Sequence, residues 1–476
     1  MSAPHADAPG LPLRIARRFV DVRPGEGATL LLGTLGFFCV LASYFVLKPL
    51  RDEIGIARGT ENLPWLWTGT LGVTLLLAPL FAWLVSRYPR RTFLPATYRF
   101  FALNLVVFVV LARVLHGDAL LWTKYAFYFW VSAFNMFVVS VWWAFMADLF
   151  RLEQSRRVFG CIAVGGTLGA IVGAAVTKSL VGEIGSFGLM LCSLGLLESA
   201  AQIARVLAKR SDAQDETLRA GAEAAPRERA TTAPTSGSAA AQAAKPRGNA
   251  WSGLQRVATS PYLRAIGLYI VLQTLASGFL NLQLNQLVHD AKSGAVDRTA
   301  AFADRDLWTQ GLTLALQIFV TGRAIPYLGV SATLVIQPFV AIAGFTLLAW
   351  ALPDEAAPGG GFPADDARLE FALWTVIVFE ALFRATQNGF ARPARETLFT
   401  VVDREDKYAA KSVLDTFVLR GGDVLFAWVF RLLRTEAALP AALVASAVIP
   451  FAGGWLVLSW FLGRMQQRLA GEREPA

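Results

Sequence analysis

Long apolar segments recur along the whole chain and are separated by short polar stretches. Twelve of them have the length of about 20 residues that an α-helix needs to cross the hydrocarbon core of a bilayer. They are 28–47, 64–85, 93–115, 119–147, 158–182, 186–208, 263–288, 306–325, 330–352, 369–391, 411–434 and 441–463. The pattern predicts an all-α membrane protein with about twelve transmembrane helices.

One polar stretch divides these segments into two sets of six. Residues 209–250 are rich in Ala, Thr, Ser, Pro and mixed charge and hold almost no bulky apolar side chain, which predicts a disordered cytosolic linker. We therefore expect an N-terminal six-helix bundle at 28–208 and a C-terminal one at 251–465. Residues 1–27 and 466–476 are expected to be cytosolic tails.

Composition agrees with this class of protein. The chain is 55% hydrophobic and 17% charged, whereas soluble proteins have about 25% charged residues. The net charge of +9 comes from Arg and Lys in alternate loops, which the positive-inside rule explains better than nucleic-acid binding does. That rule predicts cytoplasmic termini. The Ala-, Gly- and Arg-rich composition indicates a GC-rich bacterial genome, and therefore a bacterial inner membrane.

The two halves are weakly similar. Phe134–Gly173 can be laid over Leu382–Asp423, and Arg91–Ala112 over Leu328–Ala349. Parallel repeats of six helices are the architecture of major facilitator transporters, which this organisation resembles. The resemblance implies a substrate site near the midplane of the membrane.

Ionisable residues inside two of the C-terminal segments are the strongest functional signal. Segment 369–391 holds Glu380 and Arg384, which begin a polar stripe at helical spacing that continues with Gln387 and Asn388. Each ionisable residue at the bilayer centre costs about 2.5–3.5 kcal/mol on insertion scales. Such residues face a bundle interior or a water-filled path, so Glu380 and Arg384 are predicted site residues, with a self-neutralised structural pair as the alternative.

Segment 411–434 carries four more charges. Lys411 and Asp415 share one helical face, and Arg420 and Asp423 lie on another. The adjacent Gly421 and Gly422 are expected to break the helix. In the repeat overlay, the partners of Asp415, Arg420 and Asp423 are small uncharged residues, which indicates that the fold itself does not need these charges.

Three candidates lie in the first half. Lys48 and Arg51 end the first apolar segment, where they meet either an anionic substrate or the lipid headgroups. Asn135 is the strongly polar residue nearest the centre of segment 119–147. No catalytic constellation, metal-ligand spacing or cofactor motif is visible, so we expect neither an enzyme nor a bound cofactor or metal.

The run Asn388–Asp423 resembles the ATP/ADP antiporter family of plastids and intracellular bacteria. The matching positions are Arg395-Glu396, Lys411, Asp415, Arg420 and Gly421-Gly422, and Lys48 is similar to that family's lysine at the end of helix 1. The resemblance implies nucleotide exchange, with Lys48, Lys411 and Arg420 holding phosphates. The family also carries a glutamate in helix 4, where this chain has no acidic residue and Asn135 is the nearest polar candidate.

The sequence therefore predicts a monomeric secondary transporter of a small anion, a nucleotide or related phosphorylated compound, in the lipid bilayer. One alternative is a proton-coupled facilitator of another solute, with Glu380 or Asp423 as proton carrier. The other is a membrane scaffold that transports nothing. Obligatory counter-exchange favours the first hypothesis, and uptake driven by a pH gradient favours the second.

Overall fold

The computed structural model describes residues 26–87, 90–150, 152–224, 250–318, 322–353, 367–414 and 418–472. Within these ranges the chain is helical and contains no β-strand. The predicted all-α class is confirmed. Asp415 and most of the predicted linker, residues 225–249, lie outside the described residues.

The first six predicted segments are all helical. The helices are α1 (Gly27–Ile56), α2 (Leu63–Arg87), α3 (Arg90–Val114), α4 (Gly117–Leu149) and a long stretch, Leu152–Ala224. Gly185 interrupts that stretch with a φ of 61°, which separates α5 (152–184) from α6 (186–224). A residue with Cβ is strained at such a φ, so glycine suits the kink.

The second half contains both long and short helices. They are α7 (Ala250–Thr259), α8 (Pro261–Ala291), α9 (Ala295–Leu316), α10 (Gly322–Ala351, kinked at Gly329), α11 (Ala367–Thr386), α12 (Arg392–Leu398), α13 (Arg404–Val413), α14 (Leu419–Arg431) and α15 (Ala441–Gly471). Two π-helical turns, Gln387–Ala391 and Leu432–Glu436, extend α11 and α14. Six of these helices, α8, α9, α10, α11, α14 and α15, contain most of the described residues of the six predicted C-terminal segments, and the start of segment 411–434 lies in α13.

Eight helical stretches of the described chain are long and apolar enough to cross a membrane. One of them, Val158–Arg210, contains parts of both α5 and α6. Helix α14 is absent from that set because its 13 residues are too few to cross a membrane. Helices α9 and α11 are long enough, but they carry the charged residues described below. Stretches of this number, length and composition are those of a multi-pass membrane protein.

The expected helix break at Gly421 and Gly422 is wrong. Both glycines lie inside α14, which continues through them. A Cβ on Gly422 would lie 3.0 Å from Thr274 Cγ2, so the glycine allows α14 to approach α8 closely. Packing between helices outweighs the roughly 1 kcal/mol that a glycine costs inside a helix.

Helix α9 begins eleven residues before the predicted segment 306–325, at Ala295. Its part before that segment carries Arg298 and Arg305, which the hydropathy pattern excludes from an apolar span. The helix accommodates these charges because they pair with acidic side chains, as described below.

The chain forms two compact units. The N-terminal unit comprises Met1–Arg51 and Leu76–Pro226, and the C-terminal unit comprises Asp52–Leu75 and Arg227–Ala476. The last residues of α1 and the first part of α2 therefore belong to the C-terminal unit.

Small residues join α1 to α5 in the N-terminal unit. A Cβ on Gly169 would meet the backbone oxygen of Phe38, and one on Gly173 would lie 2.5 Å from the backbone oxygen of Ala42. Glycines spaced by four residues allow this close backbone approach in membrane helices.

The core of the C-terminal unit lies among α8, α10, α11 and α15. Tyr269, Phe345, Phe383 and Trp455 are fully buried there. The ring of Trp455 contacts those of Tyr269 and Phe383, with centroids 5.6 and 6.4 Å apart. This packing fixes α11, which carries the first charges of the candidate site.

Candidate functional site

Glu380 and Arg384 form a pair within α11. Arg384 Nε donates to Glu380 Oε1 at 3.4 Å, and Asn281 Nδ2 on α8 donates to the same oxygen at 3.3 Å. The Glu380 side chain is 4% exposed, whereas that of Arg384 is 34% exposed. The carboxylate therefore lies inside the unit, and the guanidinium group reaches open space.

The second carboxylate oxygen of Glu380 is the least satisfied atom of this pair. Glu380 Oε2 is buried and has no hydrogen-bond partner among the described residues. An unsatisfied buried group of this kind costs about 1–3 kcal/mol, and more when it is charged. Glu380 therefore stays a predicted site residue, since ionisable groups inside membrane segments are functional candidates by default.

The helix changes geometry directly after this pair. Gln387 and Asn388 lie in the π-helical turn Gln387–Ala391, and both are half-buried. A π turn has more residues per turn than an α-helix, so side chains that follow α-helical spacing no longer line up on one face. The predicted polar stripe therefore keeps its α-helical spacing only as far as Arg384. Single π turns inside α-helices are frequent at functional sites.

Two charges of α14 join the α11 pair. Arg420 and Asp423 lie one turn apart on α14, and both are exposed. Asp423 is close enough to interact electrostatically with Arg384 as well as with Arg420. We call Glu380, Arg384, Arg420 and Asp423 the α11–α14 cluster. It contains two guanidinium groups and two carboxylates.

A second set of charges, which the sequence reasoning missed, lies beside this cluster. Arg305 Nη2 on α9 pairs with Asp52 Oδ2 at 2.7 Å and with Asp306 Oδ1 at 2.9 Å. The Arg305 side chain is only 5% exposed, and it also interacts electrostatically with Glu380. The run Asp304-Arg305-Asp306 at the edge of an apolar segment was the signal that could have marked Arg305 as a candidate, although it does not indicate Asp52 as its partner.

A second ion pair between α9 and α1 lies about two turns earlier on α9. Arg298 Nη2 on α9 pairs with Glu53 Oε1 at 2.9 Å, and both side chains are 11% exposed. Arg298 also donates to the backbone oxygen of Ser293 at 3.1 Å. Two arginines of α9 therefore hold the last turns of α1.

Lys411 has a different neighbour. Its Nζ lies 2.6 Å from Glu396 Oε2, and both side chains are substantially exposed, at 34% and 45%. Lys411 lies in the last turn of α13 and Glu396 lies on α12, so this ion pair joins two short helices. The predicted face shared by Lys411 and Asp415 falls partly outside the described residues.

The remaining candidates lie in the N-terminal unit. Arg51 donates from Nη2 to the Tyr128 hydroxyl at 3.2 Å, and its guanidinium carbon lies 4.5 Å from the centre of that ring. The Lys48 ammonium lies 5.7 Å from the Phe45 ring centre. Asn135 is half-buried on α4.

Metal ligation finds no support in this geometry. Within the described ranges, no three His, Cys, Asp or Glu side chains come together as a metal site would require. The chemistry that the α11–α14 cluster offers is exchange of ion partners between guanidinium groups and carboxylates.

Comparison with known proteins gives information on the fold of the chain. No protein-family model matches the chain, and no curated protein does. A crystal structure of a POT family transporter in complex with 5-aminolevulinic acid is similar to it, with a TM-score of 0.53 and 11% identity over 92% of this chain and 96% of that one. A crystal structure of a mutant of the nucleoside transporter NupG is similar with a TM-score of 0.53 and 13% identity over 92% of this chain and 99% of that one.

The chain therefore shares the overall fold of these two transporter structures. At these identities the similarity shows the fold alone. Neither structure is an ATP/ADP antiporter, so the resemblance to that family stays a prediction.

Proposed function

We propose that the protein is a secondary active transporter that exchanges nucleotides, or a related phosphorylated anion, by alternating access. The observation that supports this most is the α11–α14 cluster. It presents Arg384, 34% exposed, and Arg420, also exposed, on helices of a transporter fold. We further propose a bacterial inner membrane location with both termini in the cytoplasm, because basic residues crowd the alternate loops.

Arginines on the helices of a membrane protein are tolerated only in particular surroundings. A charged side chain on a membrane helix is stable where it faces a water-filled cavity rather than lipid. A guanidinium group binds phosphate oxygens through two parallel hydrogen bonds, which favours a phosphorylated solute. In the absence of solute, Glu380 and Asp423 neutralise the arginines.

The length of the Arg384–Glu380 contact fits an exchange of partners. Charge-assisted N–H···O bonds are usually about 2.7–2.9 Å long, whereas this one is 3.4 Å. A weakly held guanidinium group can transfer to a phosphate at small cost. Lys48, Arg51, Asn135, Lys411 and Asp415 are proposed as further contacts of the substrate along its path.

The test is uptake of labelled ATP into liposomes that carry the purified protein and are either preloaded with ADP or empty. We expect uptake only with ADP inside, and about tenfold weaker apparent affinity in Arg420→Gln, since one charged hydrogen bond contributes roughly 1.5–3 kcal/mol. Arg464→Gln is the matched control, because Arg464 is an exposed arginine of α15 that stacks on Trp460. Equal uptake with and without ADP would contradict exchange.

A proton-coupled mechanism is the second candidate, and the buried Glu380 Oε2 favours it. A carboxyl group with one unsatisfied oxygen can accept a proton during the transport cycle. In the same liposomes, this mechanism predicts uptake driven by a pH gradient without internal substrate and abolished in Glu380→Gln. A scaffold would tolerate loss of all four cluster charges without loss of its cellular activity.

A further inference from the structure

A cavity of about 290 Å³ lies in the C-terminal unit, and its wall contains none of the residues assigned to the candidate site above. It is formed where the α1–α2 connection, the end of α8 and the end of α14 meet. Apolar side chains such as Leu282 and Phe430 form part of its wall. Its volume is at the lower end of the range for small-molecule sites, about 300–1,000 Å³, and suits a ligand of a few heavy atoms or a headgroup.

Four charged side chains line this cavity, those of Glu61, Asp290, Arg431 and Arg434. Glu61 and Arg431 both contribute to its wall, yet neither forms an ion pair with any described residue. The Arg431 guanidinium group instead lies over the Trp428 ring, 5.4 Å from its centre. A ligand that carries both charges can bridge the two side chains.

His289 supplies a third unsatisfied group. It lines the cavity, and its Nδ1 is buried without a hydrogen-bond partner among the described residues. In the neutral imidazole with its proton on Nε2, Nδ1 is an acceptor and needs an N–H or O–H donor. The cavity therefore offers a carboxylate and an acceptor nitrogen to a cationic donor.

Arg434 also lines the cavity, in the π-helical turn that follows Arg431. Its side chain is buried, and it donates from Nε to Gln286 Oε1 at 3.1 Å and from Nη1 to the backbone oxygen of Leu439 at 2.6 Å. These contacts fix a second positive charge beside Arg431, and they make Arg434 a structural group rather than a suitable test position.

We propose that this cavity binds a zwitterion that carries a phosphate and a primary ammonium group. The phosphate binds Arg431, and the ammonium group donates to Glu61 and to His289 Nδ1. A primary ammonium group has three N–H donors, whereas a quaternary one has none, so the acceptors select the primary amine.

The surroundings of the cavity indicate where such a ligand is found. Trp65 and Trp428 form an edge-to-face pair beside it, with ring centroids 4.7 Å apart, and Trp65 is exposed. Exposed tryptophans at helix ends are typical of the membrane interface, where lipid headgroups lie. The phosphatidylethanolamine headgroup has the proposed chemistry, and so does free phosphoethanolamine.

The test is ligand binding to the purified full-length protein. Native mass spectrometry would compare phosphatidylethanolamine with phosphatidylglycerol, which lacks the amine, and with phosphatidylcholine, whose amine is quaternary. Calorimetry would measure free phosphoethanolamine. We expect preference for phosphatidylethanolamine, weakened about tenfold in both Glu61→Gln and Arg431→Gln, as loss of one charged hydrogen bond implies.

Two controls keep this result specific. Arg464→Gln removes an arginine that stacks on a tryptophan elsewhere, and Glu183→Gln removes an exposed carboxylate of α5; neither should alter binding. Binding of free phosphoethanolamine with the same dependence on Glu61 and Arg431 also supports the proposal and assigns the ligand to a soluble source. Equal binding of the three lipids with no binding of phosphoethanolamine, or insensitivity to both variants, overturns it.

Discussion

Arg384 and Glu380 lie one helical turn apart on α11, joined by a 3.4 Å contact between Nε and Oε1, yet they occupy opposite environments. The carboxylate is 4% exposed and the guanidinium group 34% exposed. The two partners therefore depend on each other unequally. Because a buried carboxylate without a cationic partner is costly, Glu380 depends on Arg384, whereas Arg384 is exposed enough to be solvated without Glu380.

This asymmetry predicts how the pair responds to substitution. Arg384→Gln leaves a buried carboxylate with Asn281 as its remaining hydrogen-bond donor, so we expect a loss of roughly 1.5–3 kcal/mol in the free energy of unfolding. The double variant Glu380→Gln, Arg384→Gln removes both charges and should recover most of that loss. Thermal unfolding of the detergent-purified chain measures both.

The same pair of variants separates stability from transport. We expect the double variant to melt near the parent protein and still to transport poorly, because the arginine is gone. Arg464→Gln serves as the control for loss of an exposed arginine. If Arg384→Gln and the double variant melt at the same temperature, the two side chains do not depend on each other in this way.

A second prediction concerns the close approach of α1 and α5. Gly169→Ala places a methyl group against the backbone oxygen of Phe38, which cannot move unless α1 moves. We expect a cost of about 1–3 kcal/mol, the usual range for overpacking. Gly182→Ala on the same helix is the control, since nothing lies within 4 Å of its Cβ position.

The two alanine substitutions should therefore have different effects on the free energy of unfolding: Gly169→Ala should lower it, and Gly182→Ala should not. Alanine favours helix by up to about 1 kcal/mol over glycine, so Gly182→Ala is expected to be neutral or stabilising. Thermal unfolding of both proteins in one detergent provides the comparison. A Gly169→Ala protein as stable as Gly182→Ala would show that α1 shifts freely.

Hydropathy and local spacing predicted the long helices and the pairing of Glu380 with Arg384, because both depend on residues close in sequence. The contact of Arg305 with Asp52 joins residues 253 positions apart, and no local pattern encodes it. The early start of α9 was missed for the same reason: its charges are acceptable only with those distant partners. The continuation of α14 through Gly422 depends on packing against Thr274.

The α9 contacts provide the third prediction. Arg305 is 5% exposed and binds Asp52 and Asp306, whereas Arg298 is 11% exposed and pairs with Glu53. Removing one partner of a buried ion pair typically costs about 3–5 kcal/mol, because a charge stays buried without it. We therefore expect Arg305→Met to destabilise the protein more than Arg298→Met.

A conservative variant tests whether geometry or charge is responsible. Lysine keeps the positive charge but cannot reproduce the planar fork that lets one arginine serve two carboxylates. Arg305→Lys should therefore recover only part of the lost stability, while Arg298→Lys should recover most of it. Thermal unfolding of all four variants measures this. Full recovery in Arg305→Lys would mean that charge alone suffices, and that the Asp52–Arg305–Asp306 geometry adds nothing to the stability of the C-terminal unit.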